Sequence, residues 1–322
     1  MSAVKPGSAL GAALRGTALA AGTAPALALS FAITAAAASV AAAPAAASLH
    51  AALDRLPGAA SLAGTRDVPF FFHLGLARPA LAGDDPFGRD AFPASALRQE
   101  GALGSLLVLA IANTALASVF AGGLAARFAS EKGRASLPAF ASDAVRFAPA
   151  SLLLGALSLS LVLGLFHLLV TLPGRLLSQA SPRYEWESVL PRLLLGALFV
   201  LAAVLVRSTT LAARGAMGLS ASTNPLSALG TGLGVVVRRP GAALLLESVF
   251  ALAALLPAAL WFTLGPSLPG WQGRLLDLLG QQGVLFLALA ARAAHLGALQ
   301  SLVRGGGPHR AKGAPSAAPE GA

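Results

Sequence analysis

Apolar stretches of about 20 residues recur along most of the chain, and they constrain its fold more than any other feature. Each stretch is long enough to cross roughly 30 Å of hydrocarbon as a helix. Helix is expected because lipid offers backbone groups no hydrogen-bonding partner, and the alternation of a membrane β-strand is absent. We predict an all-α polytopic membrane protein with six spans, over residues 18–43, 103–126, 148–172, 193–213, 242–264 and a last one between 275 and 303.

The composition supports this prediction. Charged residues make up 11% of the 322 residues and hydrophobic residues 56%, whereas an ordinary soluble domain is roughly 25% charged. A soluble fold could not cover its surface with so few charges. We therefore expect a single six-helix membrane domain over residues 1–304, with a long extracytoplasmic loop at 44–101 and a disordered cytoplasmic tail at 305–322.

The distribution of basic residues predicts the orientation. If both termini and the second and fourth loops share one side, that side holds fourteen basic and three acidic residues, whereas the other side holds nine of each. Cytoplasmic loops carry the excess of Lys and Arg, so both termini are predicted to be cytoplasmic. This topology accounts for the net charge of +10. It favours membrane lipids, including anionic headgroups, over nucleic acid as a partner.

The N-terminal segment allows a second interpretation. Basic residues, an apolar stretch and A-x-A sequences are also typical of a secretory signal peptide. The apolar stretch exceeds the usual signal core of about 7 to 15 residues, so a retained membrane helix is favoured over a cleaved one.

Short sequence repeats indicate internal duplication. The sequence LAAR occurs at Leu124–Arg127, Leu211–Arg214 and Leu289–Arg292, in the second, fourth and sixth predicted spans. Each arginine is expected near the cytoplasmic boundary, where it can reach lipid phosphates. The segments before the odd-numbered spans share a proline, which is expected to mark the turn from an amphipathic helix in the interface to the span. We predict three tandem helical hairpins, each preceded by such an interfacial helix.

Glu247 and Arg207 are the main candidates for chemistry inside the membrane. Both lie about six residues from the cytoplasmic ends of adjacent spans, so their depths are equal and they can pair. Arg292 and His295 join this polar cluster if the last span ends near Val303, and are ordinary cytoplasmic residues if it ends at the third LAAR. A structural charge pair is favoured over proton relay or transport.

Other polar residues within spans are interpreted as structural. His167 and Asn113 are expected to hydrogen-bond between helices, and Ser151, Gly155, Ser160 and Gly164 to permit close helix packing. No Cys is present, which excludes thiol catalysis and thiolate metal sites. The motifs of zinc proteases, serine hydrolases and nucleotide-binding loops are missing as well, so we expect no enzymatic activity and no metal or cofactor.

The stretch SALGTGLGVVVRRPGAALLLESVFALAALL combines a basic helix, a Pro-Gly step and a span. It resembles the repeated unit of six-span bacterial membrane families, including the membrane domain attached to glycerophosphodiester phosphodiesterases. The resemblance is one of pattern, over roughly residues 136–304, and it carries over no catalytic residues. The low lysine content, with abundant Ala and Gly, indicates a GC-rich bacterial genome and hence the bacterial cytoplasmic membrane as the location.

The expected function is a non-enzymatic supporting role in that membrane, such as envelope organisation or an accessory subunit. The alternative is a small transporter or permease component that uses Glu247 and Arg207 along a cavity. An intramembrane lipid enzyme is a third possibility. The oligomeric state and any membrane-protein partner stay open.

Overall fold

The computed structural model describes residues 8–37, 102–130, 136–174, 185–264 and 270–306. Within these ranges the chain is almost entirely helical and contains no strand, as the apolar stretches predict. The predicted 44–101 loop and the tail beyond Gly306 lie outside the described residues. The helices are α1 (Ala9–Gly22), α2 (Ala24–Ala37), α3 (Ala102–Ala129), α4 (Leu137–Phe166), α5 (Glu185–Ser220), α6 (Pro225–Arg238), α7 (Pro240–Leu264) and α8 (Gly270–Gly306).

Five helices in the described ranges are long and apolar enough to cross a membrane, and six if α1 and α2 count as one bent span. The five candidate segments are Ile111–Ala129, Leu137–Gly174, Val189–Ser220, Pro240–Trp261 and Leu279–Gly305. The described part of the chain is thus all-helical and has the properties of a multi-pass membrane protein.

The prolines before the odd-numbered spans behave differently from one another. Pro25 and Pro240 stand in the first turns of α2 and α7, where a missing N–H costs little, and a short helix precedes each. The turn expected at Pro149 is wrong, because α4 continues through this residue. Phe147 and Leu154 on either side of Pro149 pack into one cluster with Met217 of α5, and this packing holds the helix across the proline.

The described residues divide into two compact units. The first lies within Met1–Thr23, Ala121–Phe250 and Ala293–Ala322, and the second within Ala24–Phe120 and Ala251–Arg292. In the second unit, Phe31 and Phe286 meet edge to face with ring centroids 5.6 Å apart. Trp261 of the same unit packs directly on Gly280, which leaves no room for a side chain there.

Small residues bring helices close together in the first unit. Gly16 of α1 lies against the backbone of Ala294 and Ala298 in α8. Gly232 of α6 lies in the same way against the backbone of Thr209 and Ala213 in α5.

The third such contact uses α3 and the start of α4, where Gly123 lies against Ala144 and Phe140. In each case the short helix, or the start of α4, buries residues about one turn apart on the contacting face: Ala12, Gly16 and Ala20 in α1; Phe140, Ala144 and Phe147 in α4; Ala228, Gly232 and Val236 in α6.

The ends of α3, α5 and α8 also pack on one another in the first unit. Gly218 lies on the backbone of Ala125, and Gly215 lies on Gln300. The Gln300 Nε2 donates to the Ala125 carbonyl oxygen at 3.0 Å, and Arg304 Nη2 donates to that of Ala129 at 3.2 Å. Arg304 therefore satisfies the last carbonyl group of α3, which has no partner within its own helix, and Gln300 adds a second hydrogen bond to a carbonyl group one turn earlier.

Candidate functional site

Glu247 is the centre of a polar cluster that joins three helices of the first unit. Its Oε1 lies 3.2 Å from Arg207 Nη1 of α5. Its Oε2 accepts a hydrogen bond from Ser208 Oγ at 3.3 Å and lies 3.6 Å from Nδ1 of His295 in α8. The cluster thus ties α7 to both α5 and α8.

The exposed fractions of the three ionisable side chains fall steeply from the surface inward. The Arg207 side chain is 47% exposed, that of Glu247 6% and that of His295 1%. The chain therefore encloses the carboxylate and the imidazole, while the guanidinium remains at the surface of the bundle. A carboxylate removed from solvent in this way requires a counter-ion or a proton.

His295 is held mainly by its ring. Its imidazole stacks on Phe250 of α7 with centroids 5.4 Å apart and planes inclined by 25°. Neither ring nitrogen has a hydrogen-bond partner among the described residues, and Glu247 Oε2 lies just outside hydrogen-bonding distance of Nδ1. The ring and the carboxylate are therefore neighbours that are not hydrogen-bonded to each other.

Of the four residues proposed from sequence, the structure brings three together: Glu247, Arg207 and His295. His295 lies well inside a helix that continues to Gly306, which is the arrangement expected if the last span extends to about Val303. Arg292 is exposed and lies in α8 one turn before His295.

The expectation that the LAAR arginines reach lipid phosphates is wrong for the second copy. Arg214 is 9% exposed and does not reach the surface, and its Nη2 lies 3.4 Å from the carbonyl oxygen of Ser151 in α4. In the first copy, the side chain of Arg127 pairs with Asp143 of α4 through Nε and Nη2. The sequence predicts neither contact.

The other polar residues of the spans divide between interior and surface. Ser151 and Gly155 are buried and permit the expected close packing, whereas Ser160 and Gly164 are exposed. His167 is exposed within a π-helical turn, His167–Thr171, and Asn113 is exposed as well. The expectation that these last two side chains hydrogen-bond inside the bundle is not supported by their exposure.

The chemistry open to the cluster is limited. Three or more His, Asp or Glu side chains do not converge anywhere in the described ranges, so the residues there offer no metal site of that kind. A carboxylate flanked by guanidinium, hydroxyl and imidazole groups can form a desolvated charge pair or hold a proton. Comparison of the chain with protein-family models, curated proteins and solved structures finds no match.

Proposed function

We propose that this protein has a non-enzymatic supporting role in the bacterial cytoplasmic membrane, as an organiser of the envelope or an accessory subunit. The observation that carries the proposal is the enclosure of Glu247 and His295, whose side chains are 6% and 1% exposed. A group that receives a substrate or exchanges ions must be reached from outside, whereas a group that holds helices together need not be.

The role assigned to the cluster is that of a lock between α5, α7 and α8. Helices in lipid gain little from burying apolar surface against one another, because lipid tails are equally apolar. Polar contacts between helices then specify which faces meet. Glu247 suits this role because it contacts Arg207 and Ser208 on one neighbour and His295 on the other.

We further propose three tandem hairpins with cytoplasmic termini as the architecture. Support comes from the three small-residue contacts, in which Gly16 packs on α8, Ala144 on α3 and Gly232 on α5. In the proposed architecture, each of these contacts is made with the second helix of another hairpin. The start of α4 packs on α3 of the first hairpin, α6 packs on α5 of the second, and α1 packs on α8 of the third. The pattern resemblance to six-span bacterial families favours the same arrangement.

The lock is tested by unequal effects of two substitutions. Arg207→Gln leaves a buried carboxylate without its counter-ion. The usual cost of this change is roughly 3–5 kcal/mol, and we expect the free energy of unfolding to fall by an amount near the lower limit of that range. Glu247→Gln keeps a group that can accept the hydrogen bond from Ser208 and leaves Arg207 free to turn outward. We expect it to cost about 1 kcal/mol or less. Equilibrium unfolding of the purified protein in mixed micelles measures both values.

The double variant Arg207→Gln/Glu247→Gln is the control for this experiment. It should be about as stable as Glu247→Gln alone, because no unpaired charge remains. Equal and small effects of both single substitutions would contradict the lock.

A transporter or permease component is the second candidate. The observation that favours it is that the half-exposed Arg207 leads directly to a buried carboxylate and an imidazole whose nitrogens lack described partners. Proton flux in vesicles of defined lipid, followed with an enclosed pH-sensitive dye, tests this candidate. Flux that the protein supports and that Glu247→Gln abolishes would favour transport over a structural lock.

A further inference from the structure

A cavity of about 210 Å³ opens in the first unit where the ends of α1 and α3 meet. From α1 it is lined by Ala18, Leu19, Gly22 and Thr23, and from the end of α3 by Arg127, Phe128 and Ser130. Most of this lining is apolar, and the polar side chains come from Thr23, Arg127 and Ser130. The cavity is therefore amphiphilic.

The donors that remain at the polar side belong to Arg127. The hydroxyl of Thr23 is directed to the carbonyl oxygens of Leu19 and Ala20, and that of Ser130 donates to the carbonyl oxygen of Arg127. Their oxygens can still accept hydrogen bonds, but their protons are in use. A guanidinium carries five N–H groups, and Asp143 takes one from Nε and one from Nη2. A ligand with acceptor oxygens therefore fits this side best.

The charge of Arg127 itself is balanced. Arg127 and Asp143 form an ion pair in which both side chains are mostly buried, with exposed fractions of 21% and 16%. An incoming phosphate that contacts Arg127 then meets the hydrogen-bond donors of a neutral ion pair. Such a site should bind a phosphodiester with little regard to the total charge of the molecule that carries it.

The position and size of the cavity indicate which molecule that is. Arg127 lies in the last turn of α3, a candidate span that ends at Ala129. The end of a span lies at the depth of the lipid headgroups. A volume of 210 Å³ is below the roughly 300–1,000 Å³ of clefts that enclose a drug-sized ligand. It accommodates part of an amphiphile whose remainder lies in the bilayer.

We propose that this cavity binds a glycerophospholipid, with the phosphodiester at Arg127 and the first part of an acyl chain against Leu19 and Phe128. The proposal rests on the membrane location proposed above and names a specific lipid contact for the supporting role. Because the charge of Arg127 is balanced, phosphatidylethanolamine and phosphatidylglycerol should bind about equally.

Ala18→Leu tests the cavity, because it adds apolar volume to an exposed lining position. Ala21→Leu is the matched control, since it adds the same volume to an exposed position of α1 that does not line the cavity. Native mass spectrometry of the full chain, delipidated and then titrated with phosphatidylethanolamine or phosphatidylglycerol, measures the tightest binding event. We expect Ala18→Leu to weaken it by about tenfold, the equivalent of 1.4 kcal/mol, and Ala21→Leu to leave it unchanged.

Asp143→Asn provides a second readout that does not depend on filling the cavity. It leaves Arg127 with an unbalanced charge, and we expect preference for phosphatidylglycerol over phosphatidylethanolamine to appear at low salt. The melting temperature of each variant confirms that the fold is retained.

Three outcomes would overturn the proposal. The first is equal lipid binding by the wild type and Ala18→Leu. The second is displacement of the lipid by inorganic phosphate alone, which would make the site one for free phosphate. The third is strong preference of the wild type for phosphatidylglycerol, which would indicate attraction by net charge. None of these outcomes affects the unfolding test of Arg207 and Glu247, so the lock and the lipid site can fail separately.

Discussion

Gly232 of α6 offers a test of the close contacts in the first unit, because its replacement by alanine adds a single methyl group. A Cβ at this position would overlap the carbonyl oxygen of Thr209 and the amide nitrogen of Ala213 in α5. Both are backbone atoms of a regular helix, so they cannot move aside as the end of a flexible side chain would. Gly232→Ala should therefore push α6 away from α5.

The same helix supplies two matched controls, Gly230 and Gly234. A Cβ at either position would meet open space. Replacing glycine by alanine inside a helix stabilises it by roughly 0.5–1 kcal/mol, and this gain is shared by all three substitutions. The difference between Gly232→Ala and Gly234→Ala consequently isolates the steric cost, for which we expect about 1–3 kcal/mol, the usual cost of overpacking.

Equilibrium unfolding in mixed micelles, monitored by far-ultraviolet circular dichroism, measures this difference. Gly230→Ala and Gly234→Ala should be as stable as the wild type or slightly more stable, and Gly232→Ala should be clearly less stable. If all three variants unfold together, α6 does not approach α5 as closely as described. The equivalence of this contact with that of Gly16 would then lose its support.

Two further predictions use the ends of the helices. Gln300→Met removes the hydrogen bond to the Ala125 carbonyl oxygen while keeping a side chain of similar shape, and we expect a loss of about 1 kcal/mol in the same unfolding assay. No measurable loss would show that this hydrogen bond does not contribute to stability. The chain has no cysteine, so single cysteines at Ser130 and Ser222 should react with an impermeant maleimide only after the cells are opened. Reaction in intact cells would contradict the proposed topology.

The helical fold could be predicted from sequence because it depends on length and apolarity, which are local properties. The meeting of Glu247 with Arg207 could be predicted for a related reason. In a bilayer, position along a span converts into depth, so two charged residues equally far from the same boundary can be matched before any packing is known. The place of His295 followed only once the end of the last helix was fixed at Gly306.

Packing details were less accessible, because they depend on which face of a helix meets which neighbour. Arg214 resembles Arg127 in its local sequence, yet α5 continues for six residues beyond it and its side chain turns into the bundle. Pro149 has the local signal of a helix start, but buried neighbours on both sides keep α4 continuous. Tertiary contacts overrode the local preference in both cases.

The LAAR repeat illustrates the same point. Gly232 packs on Thr209, two residues before the LAAR that begins at Leu211, and Gly16 packs on Ala294, two residues before Leu296. The third LAAR begins at Leu289, seven residues before Leu296, so it does not stand in the same relation to the contact as the second LAAR does. A word of four common residues is a poor marker of duplication in a chain rich in Ala and Leu. A small residue that must sit against a neighbouring backbone is a better one.

The contacts of the first unit fit the physics of a bundle in lipid. Apolar side chains gain little by leaving lipid for protein, so close backbone approach and polar contacts must provide much of the specificity. The packing of Gly218 on the backbone of Ala125 is one such close approach. The hydrogen bond from Gln300 to the carbonyl oxygen of Ala125 is a polar contact at the same place. Glu247 adds a charged contact between other faces of the same unit. Replacing any of these residues with a larger apolar side chain would leave the span apolar but remove the information that selects its neighbour.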